Sequence, residues 1–179
     1  MLELACYWAF YSMWFSQHVP GARNFLVEPD PICLKTGRAN FALNGLTGHF
    51  TQAFIGRHSA PIGEEIPLLE VDSFCATHHL DRLHLLHADI QGFELEILEG
   101  ARRTLAEDRV DVLFLSTHGE PLHRACREHL AANTTMRLIV DVTPAASYSA
   151  DGLLVPARAG LVVPPITVAL RSAPTPSAS

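Results

Sequence analysis

The residues of this chain that could do chemistry gather where apolar runs give way to turns. Val27-Glu28-Pro29-Asp30-Pro31 puts two carboxylates at the tip of a short apolar segment. Asp30 has an ordinary use there, capping a helix that starts on Pro31. Glu28 has none. A carboxylate about 25 positions after the first apolar segment is placed to accept hydrogen bonds from both ribose hydroxyls of a nucleotide-like cofactor. Further on, in His87-Ala88-Asp89-Ile90-Gln91-Gly92-Phe93-Glu94, Asp89 or Gln91 can simply cap the following helix while Glu94 complements its dipole, or Asp89 can face one end of a cofactor or a substrate hydroxyl. Ser116-Thr117-His118-Gly119 ends an apolar run with a histidine that can take a proton near neutral pH, or can sit satisfied in a loop. Glu3-Leu4-Ala5-Cys6-Tyr7-Trp8 passes from a strand straight into a helix, either a core junction or a turn that brings backbone N–H groups to a ligand. His78, His79, His84 and His87 are dense, but three positions along a strand lead to opposite faces, and with no paired Cys or Asp spacing no metal site is expected.

These positions need elements to hold them, and the pattern supplies alternating strands and helices. Strands are expected at Met1–Leu4, Asn24–Val27, Phe50–Ile55, Leu83–Ile90, Val110–Ser116, Arg137–Val142 and Gly152–Ala157. Helices are expected at Trp8–His18, Pro31–Leu43, Asp72 to about His79, Phe93–Leu105 and Pro121–Ala132, with Gly56–Pro67 as a surface loop. Such alternation implies parallel strands with right-handed crossovers, and the last two strands, with no strong helix between them, an antiparallel edge hairpin. In such sheets ligands bind beyond the carboxyl ends of the strands, at the switch point.

The whole chain narrows the classes further. Its 179 residues, 48% of them hydrophobic, fit one domain with a full core. A net charge of −6 and a pI near 5.9 argue against a nucleic-acid partner held by a basic face. Four scattered cysteines without a C-x-x-C pair read as reduced thiols of a cytoplasmic protein. Leu2–Phe15 is very apolar but too short to span a bilayer, carries Glu3 and lacks a basic start, so no membrane partner is expected. Residues 159–179, rich in proline and serine, read as a tail disordered at its end.

Several segments, in order over residues 1–158, resemble the FkbM family of S-adenosylmethionine-dependent methyltransferases. They are Glu3-Leu4-Ala5-Cys6-Tyr7-Trp8-Ala9-Phe10-Tyr11, Val27-Glu28-Pro29-Asp30-Pro31, Asn40-Phe41-Ala42-Leu43-Asn44-Gly45, Val71-Asp72-Ser73-Phe74, Asp89-Ile90-Gln91-Gly92-Phe93-Glu94, Glu99-Gly100 and Asp151-Gly152-Leu153-Leu154-Val155. The most telling is the strand-end acid followed by Gly92 and Glu94, with Gly100 six residues later.

The resemblance implies a Rossmann-like three-layer α/β sandwich with S-adenosyl-L-methionine as cofactor. It implies that Glu3, Ala5 and Tyr7 wrap the methionine portion, that Glu28 holds the ribose, and that Gln52 and Ala53 lie near adenine. Asp89 and Gln91 would lie by the transferring methyl, with Asp89 or His118 as the base. The acceptor would be a small molecule, a hydroxyl of a sugar or secondary metabolite. The chain departs from the family in having Ala5 where glycine is usual, a short loop before Val71-Asp72, and no helices ahead of the first strand.

Two other classes compete. A methyltransferase-like module serving in interaction, catalytically weak or inactive, is favoured by Ala5, whereas Glu28 and the Asp89–Glu94 segment favour the enzyme. A nicotinamide-dependent dehydrogenase should carry G-x-G-x-x-G after the first strand, and none is present.

Overall fold

The computed structural model describes residues 1–60 and 66–171. In chain order its elements are β1 (Leu2–Leu4), α1 (Phe10–His18), β2 (Phe25–Val27), α2 (Pro31–Leu43), β3 (His49–Thr51), β4 (Phe54–Ile55), β5 (Leu68–Leu69), α3 (Val71–Thr77), β6 (Leu83–Ala88), α4 (Glu94–Gly100), α5 (Arg102–Ala106), β7 (Val110–Thr117), α6 (Glu120–Asn133), β8 (Arg137–Val142) and β9 (Gly152–Ala157). Seven strands form one sheet in the order β3-β2-β1-β6-β7-β9-β8. Every pairing from β3 through β7 is parallel, and β9 runs antiparallel to both its neighbours. The expected Rossmann-like α/β fold and C-terminal hairpin are therefore present, with β9 inserted between β7 and the edge strand β8.

The chain leaves β1 for β2 and β3 on one side, then returns to β6 on the other. That places the switch point at the carboxyl ends of β1 and β6, with Glu28 at the end of neighbouring β2. Apolar side chains explain why this region is rigid: Leu2, Leu4, Leu86, Ala88, Leu113 and Leu115 are wholly buried in the principal core. Asp30 caps α2 as expected, its Oδ1 accepting from the N–H groups of Ile32 and Cys33 at 2.8 Å each. All four cysteines are free, and Cys6, Cys75 and Cys126 are buried. Among the described residues no helix is long and apolar enough to cross a membrane.

Two elements differ from the sequence expectation. The apolar run Phe50–Ile55 is not one strand: β3 ends at Thr51, and β4 pairs with β5 in a separate ribbon. Between them the Gln52 side-chain amide donates to the Pro29 carbonyl at 3.1 Å, and Ala53 is wholly buried in the core. The helix expected over Phe93–Leu105 breaks at Ala101 into α4 and α5. Asp72 drives the break by accepting from the N–H groups of Arg103 and Thr104 at 2.9 and 2.8 Å, which caps the second helix from outside it.

At the same joint a Cβ on Gly100 would lie 2.2 Å from the Gly56 carbonyl oxygen. A backbone atom cannot yield as a side chain can, so Gly100→Ala is expected to cost about 2–3 kcal/mol. Urea unfolding of the two proteins measures this, and equal midpoints would mean that the α4–Gly56 contact opens freely.

Beyond β9 the chain turns back onto the domain. Leu170 bridges Ser147, and the Arg171 N–H donates to the Ala146 carbonyl at 2.9 Å. The expectation of disorder at the end of the tail falls on residues 172–179, and part of the expected 56–67 loop on residues 61–65; both stretches lie outside the described residues.

Candidate functional site

Two cavities meet at the switch point. The first, of about 500 Å³, lies over the end of β1 and is lined by Glu3, Ala5, Tyr7, Glu28, Asp89 and Gln91 among others. The second, of about 530 Å³, lies beside it against β6, β7 and β9. Tyr11, His87 and Asp89 line both. The structure thus brings together six of the residues singled out from the sequence. Gln52 and Ala53 do not line the first cavity: one is spent on Pro29 and the other is buried.

Glu28 is buried, and each of its oxygens is already oriented. Oε2 accepts from the Tyr7 N–H and Oε1 from the Asp30 N–H, both at 2.9 Å. A carboxylate oxygen has a second lone pair, so each can still accept from a ligand hydroxyl. Glu28 therefore ties the β1–α1 turn to β2 and faces the cavity at once.

Glu3 lines the first cavity and also has a bond within the protein. It is 1% exposed, and its Oε2 accepts from the Ser12 N–H at 3.0 Å. Ala9, at the start of α1, offers no side-chain cap, so Glu3 satisfies that helix end from the neighbouring strand. One N–H of the first turn of α1 is thus taken by Glu3. Burial pushes the Glu3 carboxyl up to about 7, against the lowering effect of its bonds to α1.

The turn between β1 and α1 is strained. Ala5, Tyr7 and Ala9 all take left-handed conformations, with φ of 52°, 48° and 69°. The Asn40 side-chain amide holds the turn by donating to the Trp8 carbonyl at 3.0 Å. Ala5→Gly should remove a penalty of order 1 kcal/mol and free the space of one methyl group in the cavity. S-adenosylhomocysteine binding is expected to tighten by about threefold to thirtyfold, for about 0.6–2 kcal/mol relieved. Isothermal titration of both proteins decides this; weaker binding by the glycine variant would contradict a close approach at Ala5.

At the ends of β6 and β7, three carboxylates converge on His118. Its Nδ1 lies 2.5 Å from Glu94 Oε1, and its Nε2 lies 3.4 Å from Asp89 Oδ1 and 3.7 Å from Asp151 Oδ1. Glu94 is wholly buried and its Oε1 also accepts from the Gly92 N–H at 3.2 Å. It does more than complement a helix dipole, because it fixes the imidazole plane and leaves Nε2 to face Asp89 and Asp151. Burial raises the Asp89 carboxyl above its usual range; His118 opposes this and Asp151 adds to it.

His87 was undervalued by the sequence reading. Its ring packs against Tyr11 with centroids 4.2 Å apart and the planes tilted by 35°, and lines both cavities. It is 8% exposed, its Nδ1 has no hydrogen-bond partner, and burial holds its pKa down at about 4. A signal was available: His87 and Asp89 are two residues apart near one strand end and so share a face.

This arrangement defines a class: a Rossmann-type α/β domain with an acid-bearing cleft at its switch point. Residues 59–139 match the family described as the Methyltransferase FkbM domain, so the resemblance read from the sequence is borne out over that stretch. No curated protein matches the chain. Among solved structures, a protein of the NADB-Rossmann superfamily from Streptococcus agalactiae superposes with a TM-score of 0.61 at 15% identity, covering 91% of this chain and 63% of that one. TrmK from M. capricolum, solved with its cofactor product S-adenosylhomocysteine, gives 0.56 at 8% identity over 88% of this chain and 61% of that one. Precorrin-6y C5,15-methyltransferase from Geobacter metallireducens gives 0.55 at 17% identity, over 89% and 79%. At these identities the likeness is one of fold.

Proposed function

We propose that the protein is an S-adenosylmethionine-dependent methyltransferase that acts on a hydroxyl of a small molecule. The observation that carries this reading is the buried Glu28 carboxylate, oriented by two backbone N–H groups at the mouth of the β1 cavity. The residues present fit the cofactor: Glu28 would accept from the ribose hydroxyls, and the turn carrying Ala5 and Tyr7 would flank the methionine portion. The methyl would face the junction where Tyr11, His87 and Asp89 line both cavities. Gln91, at the rim of the β1 cavity, would border that methyl, and Gln52 and Ala53 would bound the adenine end only through a rearrangement of the β3–β4 turn.

S-adenosylmethionine supplies a sulfonium methyl, which an acceptor oxygen takes with cleavage of the carbon–sulfur bond, leaving S-adenosylhomocysteine. The protein contributes alignment, holding the acceptor in the second cavity and the donor in the first. His118 contributes a base. With Nδ1–H donating to Glu94, its Nε2 lone pair can receive the hydroxyl proton, and Glu94 stabilises the imidazolium that results. Asp89, whose carboxyl burial raises above its usual range, lies 3.4 Å from that nitrogen and would orient the incoming hydroxyl beside it.

S-adenosylhomocysteine is expected to raise the melting temperature while NAD leaves it unchanged, because a ligand that binds only the native state stabilises it by mass action. No shift at millimolar S-adenosylhomocysteine would favour instead a module that has lost the cofactor, a reading to which the strained Ala5, Tyr7 and Ala9 would then belong.

A further inference from the structure

The second cavity has a distinctive wall. Tyr11, Trp14, Phe114 and Tyr148 supply rings, and Asp89 and Asp151 supply carboxylates. Among the described residues no lysine or arginine lines it, and the amino group of Met1 is engaged by the Arg23 carbonyl at 2.6 Å. Three carboxylates against one imidazole give the cluster there an excess of acidic groups.

Several carboxylates elsewhere in the fold are paired with arginine, and others accept from backbone N–H groups. Asp111 has Arg82 and Arg158, Asp141 has Arg127, and Glu96 and Glu99 share Arg57. Among the described residues Asp151 has no ion-pair partner but His118, at 3.7 Å, and the buried Asp89 Oδ1 none but the same nitrogen, at 3.4 Å. His87, more than nine-tenths buried in the same wall, has an unpartnered Nδ1. Unspent polar groups and an excess of acidic groups thus border a cavity faced with aromatic rings.

We propose that the methyl acceptor is a small aromatic amino alcohol, bound with its ammonium at Asp151 and its hydroxyl at Asp89 beside His118. This rests on the methyltransferase reading above and names the acceptor of that same site. An ammonium gives Asp151 the positive partner that no lysine or arginine of the cavity wall supplies, and an aromatic-lined wall favours a cation. The two carboxylates flank one imidazole nitrogen, so hydroxyl and amine are a few bonds apart on the acceptor. A phosphate, a carboxylate or a nucleic-acid backbone meets repulsion with no cation to offset it.

Three probes of one shape and different charge test this: 2-amino-1-phenylethanol, 1-phenylethane-1,2-diol and mandelate. Each is titrated calorimetrically into protein saturated with S-adenosylhomocysteine, at pH 7.5 and low salt. The amine is expected to bind at least about tenfold more tightly than the diol, and mandelate not measurably. Asp151→Asn is expected to bring the amine down to the affinity of the diol. Mandelate binding as well as the amine, equal binding of amine and diol, an amine preference unaffected by Asp151→Asn, or no binding of any probe overturns the acceptor assignment. The preceding titration with S-adenosylhomocysteine separates the two levels: if that ligand itself fails to bind, the methyltransferase reading falls and the acceptor falls with it.

Discussion

Glu28→Ala is expected to weaken S-adenosylhomocysteine binding by about a hundredfold or more. Two charge-assisted hydrogen bonds to ribose are lost, each worth about 1.5–3 kcal/mol. The geometry adds a second loss, because the same carboxylate holds the N–H groups of Tyr7 and Asp30. Alanine leaves both unpaired and lets the β1–α1 turn relax from its left-handed conformations. The free protein should therefore lose about 1–3 kcal/mol of stability as well. Glu28→Gln separates the two effects, since its amide oxygen can keep one backbone bond while its NH₂ cannot accept from ribose. Calorimetric titration measures the affinities and urea unfolding the stabilities. An unchanged affinity in the alanine variant would mean that the ribose is held elsewhere.

The second large effect concerns pH. Glu3 and His87 are register partners on β1 and β6, and burial shifts both toward their neutral forms. Glu3 titrates near 7 in the fold and near 4.5 in the unfolded chain, so the fold holds a proton that the unfolded chain has released. Its contribution is full below 4.5 and is lost as pH rises toward 7. His87 has the opposite sign: the unfolded chain is protonated below 6.5, the fold only below about 4. Its contribution therefore grows as pH rises from 4 to 6.5. Each is worth about 3 kcal/mol across its window, so in the natural protein they nearly cancel. Glu3→Gln should expose a stability that rises by about 3 kcal/mol from pH 4 to 7, and His87→Asn one that falls by a similar amount. Urea unfolding at several pH values reads both slopes. Variants whose profiles run parallel to that of the natural protein would contradict the burial of these groups in the fold.

The parts of this fold that could be read from the chain are those set by local chemistry. Asp30 followed by Pro31 announces the start of α2, and the continuous apolar run of β7 announces a central strand. Glu28 stood out as a carboxylate at an apolar strand tip, but its bonds to the Tyr7 and Asp30 N–H groups could not be read from the chain. What was missed depends on contacts distant in sequence. Glu94 reads as the first-turn acid of an exposed helix until the pairing of β6 with β7 brings His118 against it. Asp151 becomes part of the site only because β9 enters between β7 and β8. The break at Ala101 comes from Asp72, some thirty residues earlier. Val168 and Ala169 reach the second cavity from what reads as a tail.

A crystal structure of the protein with S-adenosylhomocysteine tests the central claim most directly. The ribose hydroxyls are expected within about 3.2 Å of the Glu28 carboxylate, with the sulfur turned toward the junction lined by His87 and Asp89. A nucleoside bound away from Glu28, or no ligand at the β1 cavity at saturating concentration, would contradict the account.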